Sequence, residues 1–183
     1  MYYIRYYKDL LKTYIKNYLN RKSPKQSKHG YIDVGILNPS IGTSNMGDFI
    51  IYESVFSEIE NLYEKSFITN YPTQLHTTFH AKNLMSNKDL LFVSGTNLLT
   101  SNIDKIDQFK LDSEHKFFLK NKVVLLGVGW WQYQGIPNNY TKKLYRAIFS
   151  KDFLHSVRDS YTEKQLNSIG IKAKITEINS SIR

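Results

Sequence analysis

The chain has 183 residues, 41% of them apolar and 22% charged, a net charge of +9 and no cysteine. That composition is globular and sized for one domain with at most a small appendage. It excludes a disulfide scaffold, a thiolate zinc site and a cysteine nucleophile.

The charge belongs to one segment. Residues 1–28 hold eight Lys or Arg and one acid, a net +7, while the rest hold 17 basic and 15 acidic side chains, a net +2. A nucleic-acid binder more often spreads a basic stripe over its folded face, so no nucleic-acid partner is expected. Ile4, Tyr7, Leu11, Tyr14 and Tyr18 are spaced 3, 4, 3 and 4, which predicts an amphipathic basic helix over residues 1–22. Six of the fourteen tyrosines fall in its first eighteen residues, and a tyrosine suits a boundary between water and an apolar phase. Such a helix fits either an anionic membrane surface or the protein's own body. Residues 23–30, polar and carrying Pro24 and Gly30, read as a linker. No apolar run reaches the ~18–20 residues of a membrane span. The first residues lack the features of a signal peptide, so the expected location is the cytoplasm, with contact at the inner face of the membrane through residues 1–22.

From Tyr31 onward, short β-rich runs alternate with helical stretches. Strands are expected at Tyr31–Leu37, Phe67–Tyr71, Leu90–Val93, Val123–Leu126 and His155–Val157. Helices are expected from Asp48 to about Tyr63, over His76–Met85, over Thr141–Ser150, and over Tyr161–Ile169 with Gly170 as the stop. The alternation predicts an α/β domain over residues 31–183, a Rossmann-like parallel sheet with helices on both faces. Such sheets place their binding loops at the carboxyl ends of the strands.

Four strand ends lead into small or polar clusters. In Asn45-Met46-Gly47-Asp48, Gly47 frees the backbone and Asp48 is a helix cap or a general base. In Ser94-Gly95-Thr96-Asn97, a small residue admits a ligand to the backbone and the polar groups can bond phosphate or sugar, although an ordinary turn has the same composition. Gly127-Val128-Gly129-Trp130-Trp131 lacks a full G-x-G-x-x-G, because position 132 is Gln, which argues against a simple dinucleotide site. Its tryptophans either stack on a ligand or fill the core. In Ser156-Val157-Arg158-Asp159-Ser160, the Arg either grips an anion at the crevice or pairs with Asp159 to anchor the loop. His76 and His80 are four apart but no nearby acid completes a metal site, and neither a G-x-S-x-G elbow nor a G-K-[ST] phosphate loop occurs. No metal and no organic cofactor is expected.

In this order and spacing, Asn45-x-Gly47-Asp48, Ser94-Gly95-Thr96, Gly127-Val128-Gly129 and Ser156-Val157-Arg158-Asp159-Ser160, followed by Leu166 and Ile169-Gly170-Ile171, resemble the polysaccharide pyruvyl transferase family over residues 31–173. The last motif is the most specific, with Thr162 near the place of the usual second serine. The resemblance implies the amino-terminal half of a GT-B-like fold. It also implies transfer of a pyruvyl group, as a ketal, from phosphoenolpyruvate to a sugar of a surface polysaccharide or its precursor. The acceptor would be a saccharide or lipid-linked saccharide. Asn45, Gly47, Ser94, Gly95, Thr96, Asn97, Gly127, Gly129, Trp130, Asp159 and Ser160 would line the substrates. Asp48 would be a candidate base, although a helix start favours a capping role, and Arg158 would hold an anionic group. Two rival readings stand beside it: a nucleotide-sugar glycosyltransferase on a similar scaffold, and a non-catalytic half or partner subunit.

The sequence departs from the family pattern in two places. Ser94 and Thr96 stand where the family's turn carries glycines, which narrows access to the backbone. After Ile175 the chain reads Thr176 to Arg183, where the family would continue into a second half. The expectation is a chain weakly active or inactive alone, self-associating through the face that the other half would cover.

Overall fold

The computed structural model describes residues 31–106 and 108–176. The helix expected over 1–22, the linker over 23–30 and the last residues of the 31–183 domain lie outside the described residues. The strands are β1 (Ile32–Asn38), β2 (Ser66–Pro72), β3 (Leu90–Ser94), β4 (Asn97–Leu99), β5 (Val123–Leu126), β6 (Gly129–Trp130), β7 (His155–Val157) and β8 (Ala173–Ile175). The helices are α1 (Met46–Leu62), α2 (Phe79–Ser86), α3 (His115–Phe118), α4 (Asn139–Ile148) and α5 (Ser160–Ser168).

The main sheet has the order β2-β1-β3-β5, and every pairing in it is parallel. A parallel bridge from Val128 to Val157 carries it on to β7, which pairs in parallel with β8. The apolar runs explain the core strands. Val34 and Ile36, Leu91 and Val93, and Val123 and Leu125 are all buried, as expected of parallel strands closed on both faces. Helices lie on both faces, which makes the domain α/β and Rossmann-like. The order reverses between β1 and β3, and in such sheets the crevice outside the carboxyl ends at that reversal is the usual ligand position.

Each long crossover helix starts on a side-chain cap. Asn45 accepts from the Gly47 N–H, Thr78 from Ala81, Asn138 from Thr141 and Asp159 from Thr162. Two expectations are corrected here. The cap of α1 is Asn45 and not Asp48, which sits inside the first turn. The helix expected from His76 begins at Phe79, because the Thr78 hydroxyl caps it, so His76 and His80 do not share a helix face. The short elements β4, β6, α3 and β8 were not among those expected. No helix among the described residues is long and apolar enough to cross a membrane.

Candidate functional site

The carboxyl ends of β3, β5 and β7 meet at one level, and hydrogen bonds set that level. Gly95 N–H donates to Leu126 O at 2.8 Å, Gly127 N–H to Ser156 O at 3.1 Å, and Arg158 N–H to Val128 O at 3.2 Å. Gly95 and Gly127 both hold positive φ, at 56° and 64°. Each turns its strand there, and the chain then pairs again one layer out as β4 and β6. At Gly95 the turn also needs the missing side chain, since a Cβ would lie 1.8 Å from Cγ2 of Ile51 on α1. Thr96 follows at φ 54°, a conformation that costs a β-branched residue energy and marks a constrained position.

Above this level sits Gly129. A Cβ there would lie 2.1 Å from Oδ1 of Asn97 and 2.5 Å from Cδ of Arg158. The glycine therefore makes the space in which Arg158 Nη1 donates to Asn97 Oδ1 at 3.3 Å. Both side chains are exposed, so the guanidinium keeps donors free toward solvent. The alternative of an Arg158–Asp159 anchor is not what forms. Asp159 instead accepts from the Thr162 N–H at 2.7 Å and from the Thr162 hydroxyl at 2.9 Å. That hydroxyl in turn accepts from the Trp130 N–H at 2.8 Å. Asp159 and Thr162 thus tie the α5 start to β6 and leave Arg158 to face outward. Ser160 is exposed on the first turn of α5. Ser156 accepts from the Gly127 N–H through its hydroxyl at 3.1 Å.

The first turns of α1 lie against the Gly95 turn, through Ile51. Asn45 is exposed, Gly47 is half-buried and Asp48 is buried on the same helix face as Val55 and Ile59. Its Oδ1 has no hydrogen-bond partner, and neither has Oγ of the fully buried Ser94. A buried polar atom without a partner costs about 1–3 kcal/mol. Asp48 lies one turn before Ile51, which packs on the Gly95 turn, so both unpartnered groups belong to the junction of α1 and β3.

Trp130 requires a correction. Its ring does not face the crevice but fills the core, edge-on to Tyr145 at 6.3 Å and to Tyr161 at 6.5 Å. The exposed aromatic at this edge is Tyr133, 88% accessible and set edge-on against Tyr161 at 4.9 Å. Sequence reasoning missed it. The available signal was an aromatic three residues past Trp130, in a stretch where Gln132 takes φ 59°. Gln134 fixes that loop, accepting from the Ser101 N–H at 2.8 Å and the Thr100 hydroxyl at 3.0 Å.

The arrangement offers one outward guanidinium, two helix starts, a glycine floor and an exposed tyrosine around the carboxyl ends of the sheet. The model of the polysaccharide pyruvyl transferase family matches residues 45–179, well over half of the chain. The chain belongs to that family. The match opens on Asn45 and takes in all four strand-end clusters. Neither the curated proteins nor the solved structures contain a match to this chain.

Proposed function

We propose that this chain works in pyruvyl transfer from phosphoenolpyruvate to a saccharide, free or lipid-linked, in the cytoplasm. The observation that carries the reading is the family match together with Arg158, held over Gly129 by Asn97 at the carboxyl edge of the sheet. A donor with a phosphate and a carboxylate needs a fixed cation, and a guanidinium binds either group with paired hydrogen bonds. One sugar hydroxyl adds to C2 of the enol while the methylene carbon takes a proton. A second hydroxyl then displaces inorganic phosphate at C2, its proton leaving with the phosphate, and a methyl-bearing ketal remains.

In this reading Arg158 holds the donor's anionic group, and Tyr133 gives the sugar a face to stack on. The α1 start and the Ser94–Asn97 turn form the opposite side of the crevice. Asp48 is the residue this reading assigns to receive a hydroxyl proton, supported by a buried Oδ1 that has no hydrogen-bond partner. The test is an assay of phosphate release and of ketal methyl formation from phosphoenolpyruvate with candidate saccharides. Arg158→Ala should lower turnover about tenfold or more, the worth of a charge-assisted hydrogen bond. Consumption of a nucleotide sugar in place of phosphoenolpyruvate would replace this reading with glycosyl transfer.

A further inference from the structure

Away from the crevice, a groove of about 380 Å³ runs between α1 and the edge strand β2. Its lining is mixed, with aromatic and aliphatic side chains beside the polar Ser66 and Asn70. Tyr52 and Phe56 stand along one side of α1, Tyr63 follows its last turn, and Ile68 rises from β2, all half-buried. The rim is acidic, with the exposed Glu60 and Glu64. In the sheet order β2 is terminal, so its outer edge carries no further strand among the described residues.

The charge along this groove lacks compensation within its own element. Helix α1 carries Asp48, Glu53, Glu58 and Glu60 and not one Lys or Arg. Its carboxyl end bears the negative pole of the helix dipole, and Glu60 and Glu64 crowd that end. A basic partner laid there would relieve the repulsion.

We propose that the groove seats the chain's own residues 1–22. Three observations converge. The first is charge. Residues 1–28 carry a net +7, whereas the rest of the chain carries +2. The second is shape. Ile4, Tyr7, Leu11, Tyr14 and Tyr18 repeat at helical spacing, and their tyrosine rings with polar tips suit a mixed lining of Tyr52, Phe56, Tyr63 and Ile68 beside Ser66 and Asn70. The third is delivery. Ile32 N–H donates to Lys65 O at 3.0 Å, so the chain enters β1 beside the Glu64–Ser66 end of the groove. Residues 23–30 can span at most about 30 Å. A tether that short gives an effective concentration on the order of millimolar, enough for weak contacts to hold. The site is separate from the crevice, and its test does not use turnover.

The chain has no cysteine, so two introduced thiols label uniquely. Thr13→Cys, off the apolar stripe, and Asn61→Cys, exposed on α1, carry spin labels in the full chain. The expected result is one narrow distance population that persists on dilution. Adding Glu60→Lys and Glu64→Lys should shrink that population by more than half while the circular-dichroism melt is kept. Adding Lys12→Glu and Lys16→Glu to that variant should restore it. A broad population that ignores the charge reversals overturns the proposal. So does a narrow population that disappears on dilution, which assigns the segment to a second copy. A narrow population that forms only on adding phosphatidylserine vesicles also overturns it, and assigns the segment to the membrane surface.

Discussion

On one face of the sheet Leu91, Val93, Val123 and Leu125 disappear beneath α2, α3, α4 and α5; on the other, Val34, Ile36, Phe92 and Val124 meet α1 alone among the described helices. The alternation of strand side chains sends neighbouring residues to opposite faces, so each face has a separate core. Handedness explains the imbalance. A right-handed crossover places its helix on a face set by the direction of travel. Only the step from β1 to β2 runs toward the β2 edge, whereas the steps on to β3, β5, β7 and β8 all run the other way. The first face is closed by its own chain. The second has a half-covered flank, with Tyr52, Phe56, Tyr63, Ile68 and Leu90 only partly buried.

The sharpest way to break this comparison is a pair of truncations. Phe149 is 1% exposed, stacked on Tyr145 at 5.0 Å. Phe149→Ala should cost about 3–5 kcal/mol in urea unfolding, because both transfer energy and a cavity are lost. Phe56, half-buried beside Tyr52 on the thin face, should cost about 1 kcal/mol as Phe56→Ala. Equal losses would show the two faces to be equally closed.

A second substitution separates the site from both cores. Gly129→Ala puts a methyl group against Asn97 and Arg158, whose side chains are exposed and can move aside. The expected outcome is a melting temperature within a few degrees of the parent, with pyruvyl transfer reduced about as much as by Arg158→Ala. A large loss of stability with turnover intact per folded molecule would remove Gly129 from the site and make it a packing residue.

Much of this architecture is legible in the sequence. Val123–Leu126 and His155–Val157 form with the bounds expected of them, and the ends of β1, β2 and β3 fall within a residue or so of the expected ones. β3 and β5 carry their signal locally, because a parallel strand buried on both faces is apolar nearly throughout. β4 and β6 carry no such signal. They are three and two residues long and exist only because Gly95 and Gly127 turn at the same height. The α1 cap was misplaced because Asn45 and Asp48 are both good capping residues, and only the backbone path selects one. The site was legible as a set of loops but not as contacts. Asn97 and Arg158 are 61 positions apart, and nothing local says that they meet. Lys82 and Lys88 were invisible for the same reason. Both are buried, Lys82 against Asp112 and Glu114 and Lys88 against Asp33, and a buried lysine is expected only where distant acids reach it.

The smallest expected effect concerns pH and again tells the closed face from the open one. His155 is fully buried, ring-to-ring with Phe149 at 5.5 Å. Its Nδ1 accepts from the Leu125 N–H at 3.2 Å, and Nε2 donates to Ser150 O at 3.0 Å. Burial pushes its pKa down, against a smaller opposing pull from the Ser150 carbonyl. The folded state therefore favours the neutral ring, while the unfolded chain binds a proton near pH 6.5. Stability from this group is complete above that pH and is lost as the pH falls below it. Asp112 acts in a lower window. Burial raises its pKa, but hydrogen bonds and charge from His115 and Lys82 outweigh that and hold it well below the usual carboxylate range. Its contribution is present above about pH 3.8 and declines only under stronger acid. Between pH 7.5 and 5 the melting temperature should fall in the parent. In His155→Gln it should start lower and change less with pH. Parallel slopes in the two proteins would mean that the protons are taken up elsewhere, and that the interior around Phe149 opens to water as readily as the flank beside α1.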